Sequence, residues 1–128
     1  MNKLFKTLNL HLSISIIIVI IMAFIYGFKP NLLFDVFIKS TDEANIFKAV
    51  MGIYLSFALL WIVGVYNNQY WKVATISNFC FMFGLAIGRI ISILIDGFPC
   101  DLFIVGTLGE LAIGFFALYE FKKHKTLK

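Results

Sequence analysis

Four apolar runs, over about residues 12–28, 45–66, 73–95 and 102–121, constrain this chain more than any other feature. A bilayer core ~30 Å thick needs roughly 18 or more apolar residues to cross it as a helix, and each run supplies that length or close to it. Short polar breaks separate the runs. With 61% of its 128 residues hydrophobic and 14% charged, the chain lacks the charged surface of a soluble domain of this size. The sequence therefore predicts an all-α fold, a four-helix transmembrane bundle forming one integral membrane domain over 1–128. No small-x-small cleavage site follows the first run, so the first helix is expected to be retained.

The connection between the first two runs is long. Within it Asn31, Asp35 and Lys39 recur at helical spacing, while Leu33, Phe34, Phe37 and Ile38 fill another face. That pattern predicts a short amphipathic interfacial segment between helices 1 and 2, with an ordered apolar loop as the alternative. Ser40-Thr-Asp-Glu43 matches a capping box and predicts a helix start. Tyr66-Asn-Asn-Gln-Tyr-Trp71-Lys72 reads as a polar turn flanked by interfacial aromatics, and Asp96-Gly-Phe-Pro-Cys-Asp101 as a tight turn with Gly97 as the helix cap.

Orientation follows from the lysines. Lys3, Lys6, Lys72, Lys122, Lys123, Lys125 and Lys128 share one side of a four-span topology. Lys29 and Lys39 share the other with Asp35, Asp42, Glu43, Asp96 and Asp101. Basic residues accumulate on the cytoplasmic side, which places the protein in the cell (inner) membrane with both termini cytoplasmic. The net charge of +4 sits at the chain ends instead of in a patch, so nucleic acid is not an expected partner. Cys80 and Cys100 have no metal-ligand spacing. Cys80 is expected to behave as a small buried hydrophobe.

Inside the runs lie three charges. At ~1.5 Å per residue, Arg89 is roughly 10 Å below the Asp96 turn, Glu110 about 13 Å below the same surface, and Lys48 about 7 Å deep. Arg89 and Glu110 have opposite sign and similar depth on consecutive helices, so a salt bridge between them is expected. An intramembrane charge costs roughly 2.5–3.5 kcal/mol on insertion scales and marks a candidate site. The candidate polar cluster is Asn45, Lys48, Arg89, Ser92, Asp96 and Glu110, either a structural lock or the lining of a cavity. Gly84, Gly88 and Ser92 at four-residue spacing, with Gly106 and Gly114 around Glu110, are expected to bring the third and fourth helices together. No catalytic triad, zinc motif or phosphate loop is present, so no catalytic residue, metal or cofactor is expected.

The segments Asn45-Ile-Phe-Lys48-Ala-Val-Met-Gly52-Ile-Tyr54, Gly88-Arg89-Ile-Ile-Ser92 with Asp96-Gly97-Phe98-Pro99, and Gly109-Glu110-Leu111 resemble the bacterial membrane proteins called domain of unknown function 4345. The likeness runs from about Asn45 to the end, with the first helix similar in character. The resemblance implies a four-span inner-membrane protein and supplies no activity. Lys48 stands where that family leads one to expect arginine. Two function classes follow. The first is a non-enzymatic membrane protein, an accessory subunit or a binder of a small or lipid-like ligand at the outer-leaflet charged cluster. Its partners would be membrane lipid and a membrane protein or a second copy. The second is a small transporter or proton-coupled permease working as an oligomer, which the mainly apolar inner halves of the runs disfavour.

Overall fold

In a hydrocarbon environment every backbone N–H and C=O must be satisfied within the chain, and a helix does so segment by segment. The computed structural model describes residues 9–126, without the side chain of Thr126. Lys3, Lys6 and Lys128, used above for orientation, lie outside the described residues. Four helices account for most of the rest: α1 (Leu10–Phe28), α2 (Thr41–Tyr66), α3 (Asn68–Asp96) and α4 (Asp101–Thr126). All four are long and apolar enough to cross a membrane. Their outward faces carry exposed Ile17, Ile21, Phe24, Leu59, Val63, Val73, Leu94 and Phe115, as lipid contact requires.

Local sequence sets the helix ends. Pro30 cannot donate a backbone hydrogen bond and disfavours helical geometry in the residue before it, so α1 stops at Phe28. Ser40 caps α2 by accepting from the Glu43 N–H at 3.2 Å. The return arm of the expected capping box is shifted by one residue, since the Glu43 carboxylate accepts from the Lys39 N–H at 2.6 Å. Between α2 and α3 the break narrows to Asn67. Its N–H closes α2 on the Val63 carbonyl at 2.8 Å, and its side chain caps α3 by accepting from the Gln69 N–H at 3.0 Å. Asn68 to Lys72, expected in a turn, are helical. Gly97 ends α3 with φ 99° and ψ −175°, a region open essentially to glycine alone and distinct from the left-handed helical cap expected.

The long connection is not an amphipathic helix. One 3₁₀ turn, Pro30–Leu32, is followed by a bend and chain without regular structure up to Ser40, so the apolar-loop alternative describes it. The reason is packing. Phe34 turns inward, is buried, and stacks on Phe103 of α4 at 4.0 Å between ring centroids and on Tyr26 of α1 at 5.5 Å. A helix along the surface could not drive one aromatic that far inward while keeping its other apolar residues on the interface.

The bundle is two hairpins. α1 packs mainly on α2 and α4 mainly on α3; α2 and α3 join the pairs, and α1 touches α4 only slightly. The centre holds Tyr54, Trp61 and Phe81 in edge-to-face contact, with the Trp61 Nε1–H donating to Ser77 Oγ at 3.1 Å. Helices approach closely at Gly64 and Gly27, where an added Cβ would collide with the Ala74 and Met51 side chains, and at Gly114, where it would meet the Phe83 ring at 2.8 Å. The expected row of Gly84, Gly88 and Ser92 is exposed, and a Cβ at either glycine would have nothing within 4 Å. That row lies off the buried face of α3, which runs through Trp71, Ala74, Asn78, Met82 and Ala86. Small residues at helical spacing permit close packing without saying which face is used. Cys80 is likewise exposed and not buried, and it and Cys100 are free thiols.

These contacts reverse the mutational expectation that the glycine spacing raises. Gly64→Leu should overpack the α2–α3 contact and cost about 1–3 kcal/mol. Gly88→Leu should change stability by no more than about 0.5 kcal/mol, as at other exposed positions. Thermal unfolding in detergent of both variants checks this ordering.

Candidate functional site

Arg89 and Glu110 meet on the facing sides of α3 and α4. The Arg89 Nε–H donates to both Glu110 carboxylate oxygens at 3.1 Å each, and Nη2 donates to the Tyr26 hydroxyl of α1 at 3.1 Å. The guanidinium lies 4.9 Å from the centre of the Phe103 ring, a cation–π contact. One arginine thus ties α1, α3 and α4 together. Its side chain is 21% accessible and that of Glu110 14%, so the pair is shielded without being sealed. A planar guanidinium suits this task, because its donors point in several fixed directions at once.

The accessible part of the pair faces a cavity of about 230 Å³. Met22 and Tyr26 of α1, Tyr54 of α2, Leu85 of α3, and Gly109 and Ile113 of α4 are among its walls, with Phe34 from the connection. Its walls come largely from α1 and α4, which barely touch each other. Its lining is apolar apart from Arg89, Glu110 and the two tyrosines. Tyr54 lines the cavity, and its hydroxyl makes no hydrogen bond among the described residues. A cavity of ~150 Å³ with apolar walls is known to hold a benzene-sized guest, so this one has room for part of a larger molecule.

The remaining members of the expected cluster lie elsewhere. Ser92 donates to Asp96 Oδ2 at 2.8 Å, one helical turn along the exposed face of α3. Lys48 is exposed on α2, with Nζ 5.5 Å from the Phe28 ring centre. Asn45 is exposed on the same helix. The six residues therefore divide into a cavity pair, a surface pair and two outward residues of α2. Matching depth placed Arg89 and Glu110 at one level, and only helix rotation decides which side chains face inward.

Four residues of the site lie outside the expected polar cluster: Tyr26, Phe34, Tyr54 and Phe103. Tyr26 resembles an interfacial anchor in sequence and serves instead as a hydrogen-bond acceptor for Arg89. Its position near the end of α1, level with a buried arginine, is the one signal that could have found it.

The opposite end of the bundle holds a second polar group. His11, Ser15, Thr75 and Asn78 are fully buried and Glu120 nearly so. His11 Nε2 lies 3.2 Å from Thr75 Oγ1, and Ser15 donates to the His11 carbonyl at 2.8 Å. Val19 and Met82, both buried, are walls of the Arg89 cavity, and Ala86 and Ala117 are buried as well. Among the described residues no three His, Cys, Asp or Glu side chains gather as a metal-binding group.

The family model described as Domain of unknown function (DUF4345) matches residues 7–120. The chain belongs to this family. No curated protein and no solved structure matches it. The match reaches further than the motifs of α2 to α4, for it takes in the whole of α1, whose Tyr26 completes the arginine site. In this member of DUF4345 the Gly88-Arg89 and Gly109-Glu110 motifs supply the two halves of one ion pair.

Removing one partner should leave the other shielded and uncompensated. Buried pairs lose ~3–5 kcal/mol in this way, and partial accessibility reduces the expected loss to about 2–3 kcal/mol for Arg89→Ala. Tyr26→Phe should cost about 1 kcal/mol, the ordinary worth of one hydrogen bond. The double change Arg89→Met/Glu110→Leu should recover most of the stability lost by Arg89→Ala. A thermodynamic cycle over these variants measures the coupling; additive losses would show that the pair does not act as a unit.

Proposed function

We propose that this protein is a non-catalytic integral membrane protein whose cavity at Arg89 and Glu110 binds a small or lipid-like ligand. The observation that carries this reading is the cavity itself, apolar over most of its wall with a few convergent polar groups at one side. It lies between α1 and α4, whose few mutual contacts suit lateral entry of a molecule dissolved in the bilayer. The basic end of the bundle faces the cytoplasm of the cell (inner) membrane, so the cavity lies in the outer leaflet. The charge pair is then an intramembrane salt bridge, held by Tyr26 and open to ligand on its accessible side. A role as accessory subunit to another membrane protein is compatible with the same pocket.

The second reading is a small transporter or proton-coupled permease working as an oligomer. Buried His11 and Glu120 give it some support, since they add polar groups at the far end. The cavity wall is apolar apart from Arg89, Glu110 and two tyrosines, Val19 and Met82 being part of it, and this favours the binder.

Native mass spectrometry of the protein released from mild detergent should show a retained apolar molecule. Gly109→Leu places a side chain where a Cβ meets nothing within 4 Å, fills part of the cavity, and should abolish retention without unfolding the protein. A wild-type protein that carries no such molecule, in detergent or in lipid nanodiscs, would remove the binder reading. For topology, Cys100 in the α3–α4 turn should react with a membrane-impermeant thiol reagent on intact cells. A cysteine placed at Lys125 should not, and the reverse pattern would invert the orientation.

A further inference from the structure

The basic end of the bundle has a cleft of its own, apart from the Arg89 cavity and independent of the function proposed for it. About 500 Å³ in volume, it is bounded by Asn68, Gln69, Trp71 and Lys72 at the start of α3 and by Phe121, His124 and Lys125 near the end of α4. The two helices hold it open through a stack of the His124 imidazole on the Trp71 indole, 4.5 Å between ring centres and 30° between planes.

Its chemistry is one-sided. The lining contains two lysines, a histidine and two side-chain amides, and no carboxylate. Neither Lys72 nor Lys125 has a carboxylate partner among the described residues. The nearest acidic group along α4 is Glu120, one turn deeper than His124, nearly buried and outside the lining. Trp71 is 3% exposed and lines the cleft, yet its Nε1–H, a donor only, finds no acceptor among the described residues. The start of α3 adds the positive end of a helix dipole. Cationic, amide and indole donors gathered around a space free of carboxylates fit an oxyanion rich in acceptor atoms.

We propose that this cleft binds a phosphate group, and that the phosphate is the headgroup of an anionic phospholipid. A free phosphate compound offers the same oxygens. The lipid is favoured by position: the cleft lies at the ends of membrane-crossing helices, level with exposed Tyr66, Tyr70 and Tyr119, the residue type that gathers at a membrane interface. Exposed Val73 lies one turn beyond Gln69 on α3 and gives the acyl chains an apolar surface to follow. Lysines beside a bilayer surface attract anionic lipid, and a built pocket converts that general attraction into a bound molecule.

The test has two arms. In the first, the protein is reconstituted into nanodiscs of equal parts phosphatidylcholine and phosphatidylglycerol, and native mass spectrometry reads the lipids that stay bound after release. Phosphatidylglycerol should be enriched about thirtyfold over phosphatidylcholine, the scale expected of two lysines at a membrane surface. Lys72→Gln/Lys125→Gln should abolish the enrichment, Lys72→Arg/Lys125→Arg should keep it, and Lys29→Gln/Lys39→Gln at the opposite end should leave it unchanged. In the second arm, the protein in pure phosphatidylcholine nanodiscs is titrated with inorganic phosphate and with pyrophosphate, and tryptophan fluorescence reports on Trp71. Enrichment in the first arm that depends on Lys72 and Lys125 supports the lipid. Lysine-dependent binding in the second arm alone assigns the site to free phosphate and overturns the lipid. Enrichment that survives the double glutamine change, or no preference in either arm, overturns the site altogether.

Discussion

A guanidinium in an apolar bundle has to be matched on every side or the bundle opens to admit water. Here one arginine is matched by a carboxylate on the next helix, a phenol on the first helix and an aromatic ring at the start of the last. α1 has few contacts with α4, and the Tyr26–Arg89–Glu110 chain is the polar link between the two hairpins at this level. Removing desolvated charge from lipid is thus the same event as closing the fold. The cavity beside it is a by-product of that closure, because a pair satisfied from three sides leaves the fourth open.

Much of the architecture was legible in the sequence, for reasons that lie in the solvent. A bilayer fixes how long an apolar run must be, and the four runs declare four helices. The Arg89–Glu110 pairing was legible too, because a tight turn makes depth on one helix predict depth on the next. Which face of a helix turns inward was not. Gly84, Gly88 and Ser92 have the spacing of an interface and look outward, whereas Gly64 lies in no such row and makes the closest contact. In a soluble protein polarity marks the outer face, but lipid and core are equally apolar, so that marker is missing. The same gap explains Cys80, read as buried and found exposed, and Lys48, found on the outside of α2.

The connection from α1 to α2 took its loop alternative for a different reason. Asn31, Asp35 and Lys39 keep helical spacing, and a helix would satisfy their backbone. What the periodicity could not reveal was a partner for Phe34 far along the chain, in Phe103, or the aromatic stack that reaches Tyr26. A tertiary contact outweighed a local pattern. The membership in DUF4345 covers α1 as fully as the rest, in keeping with the share that Tyr26 takes in the arginine site.

Asn67 is a joint of one residue, closing α2 with its backbone and opening α3 with its side chain. Such a joint fixes the phase of two long helices relative to each other. Each residue added there turns α3 by ~100° about its own axis. A single insertion would swing Arg89 away from Glu110 and Tyr26, and would carry the glycine row to a new side of the bundle. The loop after Pro30, by contrast, can lengthen without rotating anything, as long as Phe34 keeps its place. Length variation among members of this family is therefore expected to be confined to that loop and absent at the α2–α3 joint.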